Sequence, residues 1–100
     1  MLTKKEIITI LKNELPYLRD IFGVKRIGLF GSSAKGIQRE DSDVDLIVEF
    51  EKPIGLKFFE LSEHIEKVLG NKVDILTPAG IKSIRVKKVA DDIKKSIVYV

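Results

Sequence analysis

Residues 43–50 read Asp-Val-Asp-Leu-Ile-Val-Glu-Phe, a strand-like apolar run entered through two carboxylates. Side chains two apart on a strand share a face, so Asp43 and Asp45 stand together with their Cα atoms roughly 6.5–7 Å apart. Like charges that close repel, and each resists burial. A fold that keeps both at the mouth of a buried strand needs a compensating cation, and magnesium, which favours hard oxygen ligands and accompanies phosphates, is the natural candidate. Asp74 lies between Val73 and Ile75 in a second apolar segment, Lys72 to Leu76. If the two strands are neighbours, three carboxylates converge, and such a cluster can hold two metals about 3.5–4 Å apart that clamp both oxygens of a phosphoryl displacement. Asp41 shares parity with Asp43 and Asp45, so spacing alone leaves the register of the acidic pair open.

The rest of the chain supplies a frame for that strand. Thr3 and Glu6 form a capping box, and Ile7, Ile8, Leu11, Leu15 and Leu18 follow at helical spacing. Pro16 predicts a kink or restart in this helix, and Gly23 ends it. Val24 to Phe30 reads as a short strand, in which Gly28 marks close backbone packing. Gly31 to Gly36 is a small polar turn with at most one helical turn. Beyond Pro53–Gly55, the residues Leu56, Phe59, Leu61, Ile65, Val68 and Leu69 predict a helix stopped by Gly70, with Lys57, Glu60, His64 and Lys67 on its polar face. Strand Lys72–Leu76 comes next. After Thr77-Pro78, the residues Ile81, Ile84, Val86, Val89, Ala90 and Ile93 predict a last helix broken near Ser83. The β-branched tail Ile97–Val100 predicts an edge strand. The order implies an α/β (α+β) fold, a small mixed sheet flanked by helices. One hundred residues hold a single domain, 1–100, with a modest core that a homo- or hetero-oligomer could extend.

Composition narrows the function. The chain has no Cys, which excludes disulfide scaffolds, thiol catalysis and Cys-based zinc sites. No apolar run reaches the roughly 20 residues of a membrane span, and the charged N-terminus lacks a signal-peptide core, so the expected location is the cytoplasm. Net charge is +4 over residues 1–40, −5 over 41–80 and +4 over 81–100. An acidic middle between basic flanks fits a cation held by carboxylates with an anionic ligand beside it better than a nucleic-acid footprint.

The Gly31-Ser32 turn provides the second half of such a site. Glycine lets backbone approach a ligand closely, and exposed N–H groups with the Ser32 hydroxyl suit phosphate oxygens. Lys35 adds a point charge. Donors on one side and carboxylates on the other describe a nucleoside triphosphate site. Other motifs fail. Gly36 is followed by Ile37 and Gln38 rather than the Lys-Ser/Thr of a P-loop. An EF-hand begun at Asp41 meets Leu46 and Lys52 where Gly and Glu are needed. A nucleophile elbow lacks its second glycine at Lys35. His64, the sole histidine, reads as a plain surface residue.

Taken together, Leu29-Phe30-Gly31-Ser32, Gly36, Ser42-Asp43-x-Asp45-Leu46-x-Val48 and a later Asp74 resemble the nucleotidyltransferase superfamily of DNA polymerase β. The short chain is similar to its smallest branch, the minimal nucleotidyltransferases. The resemblance spans nearly the whole sequence. Lys35 departs from the arginine usual in the family, replacing a bidentate fork with a point charge.

The resemblance selects Asp43 and Asp45 as the acidic pair, because Ser42 then precedes it. It implies that these two bind Mg2+, as two ions, that Asp74 completes the site or acts as general base, and that Gly31, Ser32, Lys35 and Ser42 bind ATP. It further implies transfer of AMP from ATP to a hydroxyl, a tyrosine of a partner HEPN toxin, which makes the chain an antitoxin. The absence of a substrate-binding domain of its own fits an acceptor that is a separate protein. The alternatives are a non-catalytic antitoxin that neutralises its partner by complex formation, and a nucleotidyltransferase acting on a small molecule.

Overall fold

The computed structural model describes residues 2–35 and 43–100. Helix α1 (Lys4–Phe22) opens on the expected capping box: Thr3 Oγ1 accepts from the Glu6 N–H at 3.1 Å, and the Thr3 N–H donates to Glu6 Oε1 at 3.2 Å. Gly23 closes it in the left-handed conformation at φ +68°. The helix runs unbroken through Pro16, against the restart expected there. Its buried stripe Ile7, Leu11, Leu15, Leu18 and Phe22 continues on both sides of the proline, while Pro16 and Lys12, four residues earlier, lie on the exposed side. Packing of the stripe outweighs the one hydrogen bond lost.

Strand β1 (Val24–Leu29) leads into the short helix α2 (Gly31–Lys35), strand β2 (Val44–Phe50), helix α3 (Lys57–Leu69) and strand β3 (Val73–Leu76). The expected break near Ser83 is present: α4 (Pro78–Lys82) is separate from α5 (Lys87–Ser96), and the Ser83 N–H caps α4 on the carbonyls of Ala79 and Gly80. The tail forms the edge strand β4 (Val98–Tyr99). The sheet is mixed, in the order β3-β2-β1-β4, with β2 and β3 parallel and the other pairs antiparallel.

The strand period sorts side chains into two layers. Val44, Leu46 and Val48 of β2, with Ile27 and Leu29 of β1, join the stripes of α1 and α3 in the main core. Ile47 and Phe30 on the other face pack with Ile81 of α4 and Ala90 of α5. Gly28 is where β1 and β4 meet: a Cβ there would lie 3.1 Å from Ile97 Cγ2, Tyr99 Cδ1 and the Val98 carbonyl. The close-packing reading of Gly28 therefore holds. The assignment of Leu56 and Phe59 to the core does not, since they are 82% and 66% exposed. The buried stripe of α3 is Leu61, Ile65 and Leu69. Phe58, three residues before Leu61, lies on that side with its ring 6.5 Å from Phe50. Among the described residues no helix is long and apolar enough to cross a membrane.

Candidate active site

Asp45 and Asp74 are register partners across the parallel β2–β3 pair. Both point to the face that carries Ile47 and Leu76, away from the main core. Neighbouring strands lie about 4.8 Å apart, so the backbone ladder alone brings these carboxylates side by side. Asp43 sits just ahead of β2, exposed at the strand mouth, and Asp74 is exposed on β3. The sheet thus confirms the adjacency on which the carboxylate reading depends. Among the described residues, no three acidic or histidine side chains are gathered tightly enough to form a ready-made cation site. The donors present nevertheless suit a hard divalent cation chemically: all are carboxylate oxygens, at an open strand end.

The turn after β1 presses against Asp45. Gly31 has φ +60°, and a Cβ there would fall 3.0 Å from Asp45 Oδ2. Glycine is thus required twice, for the left-handed backbone and for room beside the carboxylate. Three further hydrogen bonds fix the arrangement. The Phe30 N–H donates to the Asp45 carbonyl at 3.1 Å, the Asp45 N–H donates to Ser33 Oγ at 2.9 Å, and the Gly31 N–H donates to Ser96 Oγ at 3.2 Å. Ser96 Oγ in turn donates to the Ile93 carbonyl at 2.9 Å.

Two of these contacts lie outside the sequence reading. Ser33 is fully buried and holds the Asp45 backbone, although Gly31-Ser32-Ser33 reads only as a small polar turn. The Gly31 N–H, read as an open phosphate donor, is occupied by Ser96 from α5. Neither serine is marked in the sequence: Ser33 stands beside Ser32 in the polar turn, and Ser96 follows Lys94-Lys95. Ser32 and Lys35 are described through their backbone in α2. Ser42, Gly36 and Asp41 lie outside the described residues.

At the far end of the same sheet face, Arg26 donates from Nε and Nη2 to Glu49 Oε2 at 2.9 and 2.7 Å, and its guanidinium lies 4.4 Å above the Tyr99 ring. The hydrogen bond to Glu49 holds the Arg26 pKa above its ordinary value. His64 is a second correction. It is half-buried, 2.7 Å from Glu14 Oε1 and with its ring tilted against that of Tyr17 at 4.7 Å, tying α3 to α1 rather than standing as a plain surface group.

Comparison with known proteins bears on this geometry. Residues 5–100 match the family description of a nucleotidyltransferase domain. The chain is 45% identical over 101 residues to the protein adenylyltransferase MntA of Thermococcus cleftensis, covering all of this chain and 98% of that one. Among solved structures it matches one assigned as a minimal nucleotidyltransferase, with a TM-score of 0.73 and 26% identity, over 97% of this chain and 95% of the other. It shares its fold with a chain of a toxin–antitoxin complex crystallised with AMP-PNP, at a TM-score of 0.63 and 22% identity, over 98% of this chain and 72% of that one.

Proposed function

This chain belongs to the nucleotidyltransferase family, and we propose that it is the antitoxin of a toxin–antitoxin pair, transferring AMP from ATP to a tyrosine hydroxyl of a partner HEPN toxin. The name of the Thermococcus relative supports adenylyl transfer to a protein, and the toxin–antitoxin complex of like fold supports the partner. The observation that carries the reading is the in-register pair Asp45 and Asp74 beside a glycine turn that leaves room for the Asp45 carboxylate.

Asp43, Asp45 and Asp74 are the residues that would hold magnesium. Bound there, the metal would supply charge neutralisation at the α-phosphate and lower the acceptor's pKa. Ser32, Lys35 and Ser42 hold the triphosphate in this reading, and Gly31, whose N–H is taken by Ser96 Oγ, contributes the turn rather than a donor. The acceptor oxygen forms a bond to the α-phosphorus as the bond to the bridging oxygen of pyrophosphate breaks. The hydroxyl proton passes to the Asp74 carboxylate, which is solvent-facing and can release it. Pyrophosphate leaves.

The test is label transfer from α-labelled ATP to the partner in the presence of magnesium. Wild type labels the partner, whereas the double variant Asp43→Ala/Asp45→Ala falls by at least about 100-fold, since a lost metal removes several kcal/mol of transition-state stabilisation. No transfer by wild type, or equal transfer by both proteins, refutes the reaction.

A further inference from the structure

A cavity of about 180 Å³ adjoins the Gly31 turn, lined by Gly31 and by Val89, Asp92, Ile93 and Ser96 of α5. The four helical residues are spaced i, i+3, i+4, i+7, so they form one face. Val89 and Ile93 supply an aliphatic wall, and Val89 is 46% exposed. Ser96 is already committed, accepting from the Gly31 N–H and donating to the Ile93 carbonyl. Among the described residues that line the cavity, Asp92 is the exposed polar group left to meet a ligand.

The chemistry of this lining selects its occupant. An ionised carboxylate only accepts hydrogen bonds, and it repels phosphate, so the triphosphate does not belong here. The volume lies below the roughly 300–1,000 Å³ of sites for larger ligands, yet is of the order of one planar ring system. Gly31 both abuts the Asp45 carboxylate and lines this cavity. A substrate whose phosphates lie at the Gly31 turn therefore has its nucleoside within reach.

We propose that this cavity is the nucleoside subsite and that Asp92 determines nucleotide specificity by accepting a hydrogen bond from a donor on the nucleoside. That donor is either the exocyclic amine of adenine or a ribose hydroxyl. The inference rests on the nucleotidyl-transfer reading and names what that reading leaves open, the part of the substrate beyond the phosphates. An amine-reading carboxylate rejects guanine, whose carbonyl at the corresponding position offers a second acceptor. A hydroxyl-reading one rejects the 2′-deoxynucleotide.

Calorimetry with magnesium and ATP, GTP or 2′-deoxy-ATP tests this on the intact chain. Asp92→Asn is a substitution at an exposed helical position and is expected to fold. It lowers either the ATP/GTP or the ATP/2′-deoxy-ATP affinity ratio by about tenfold, the scale of one charge-assisted hydrogen bond at a partly exposed site. The ratio that moves identifies the donor. Asp91→Asn, one residue away on a different side of the helix, leaves both ratios unchanged. If both ratios survive in Asp92→Asn, the subsite is refuted while nucleotidyl transfer stands. If wild type binds none of the three nucleotides, the transfer reading fails and takes the subsite with it.

Discussion

Replacing Gly31 by alanine separates the two roles given to this glycine, because the chain contains natural controls. Gly23 and Gly70 each have φ +68°, and a Cβ at either would meet nothing within 4 Å. Alanine at these positions incurs only the left-handed penalty of about 1–2 kcal/mol, which for a domain of this size lowers the melting temperature by roughly 4–16 °C. Gly31, at φ +60°, incurs the same penalty and in addition sets a Cβ 3.0 Å from Asp45 Oδ2 and 3.7 Å from its Cγ. That contact is tight enough to displace the carboxylate by several tenths of an ångström. Misplacement by 1 Å at a reacting centre costs about 100-fold, so the displacement alone predicts a loss of about tenfold. Label transfer is measured at a temperature where all variants are folded, and thermal melts are recorded in parallel. Gly23→Ala and Gly70→Ala melt early but transfer at close to the wild-type rate, whereas Gly31→Ala melts early and transfers slowly. Equal rates for all three variants would refute the claim that Gly31 exists to make room for Asp45.

Two further substitutions probe the frame. Gly28→Ala destabilises the protein by about 1–3 kcal/mol in urea unfolding, because the Val98 carbonyl that its Cβ would meet at 3.1 Å is backbone and cannot turn aside; hydrogen exchange at the Val100 amide, which donates to the Ile27 carbonyl at 2.9 Å, speeds up with it. Ser33→Ala leaves the Asp45 amide without its 2.9 Å acceptor and costs about 1–3 kcal/mol, again read in urea; a cost near zero would show that Ser33 does not anchor Asp45.

The sequence was most informative where a local rule has one structural answer. The Thr3–Glu6 box, the glycine stops at Gly23 and Gly70, and the break near Ser83 each follow from chemistry within a few residues, and all are present. The face shared by Asp45 and Asp74 followed from strand alternation once the two strands were taken as neighbours. What the sequence hid is tertiary. Phe59 is adjacent to Phe58, and a run of apolar residues at the start of a helix does not show which of them faces the core. Phe59 lies about 200° around the helix from Leu61, on the opposite side. Ser33 and Ser96 are ordinary turn and helix-end residues by type, and only the packing of α2 against β2 and α5 makes them part of the site. Pro16 broke a local preference that the apolar stripe on either side of it overrode.

The parallel pairing of β2 with β3 makes the spacing of the acidic groups a matter of counting rather than of fit. Asp45 and Asp74 are matched residue for residue by main-chain bonding, so resizing the surrounding side chains leaves their separation intact. An extra residue between Gly70 and Val73 has to be taken up outside the strand, because a single-step slip of β3 would turn Asp74 toward the core and carry Val73 and Ile75 out of it. Natural drift can therefore retune the surface of this protein gradually, while the step at which β3 meets β2 stays fixed.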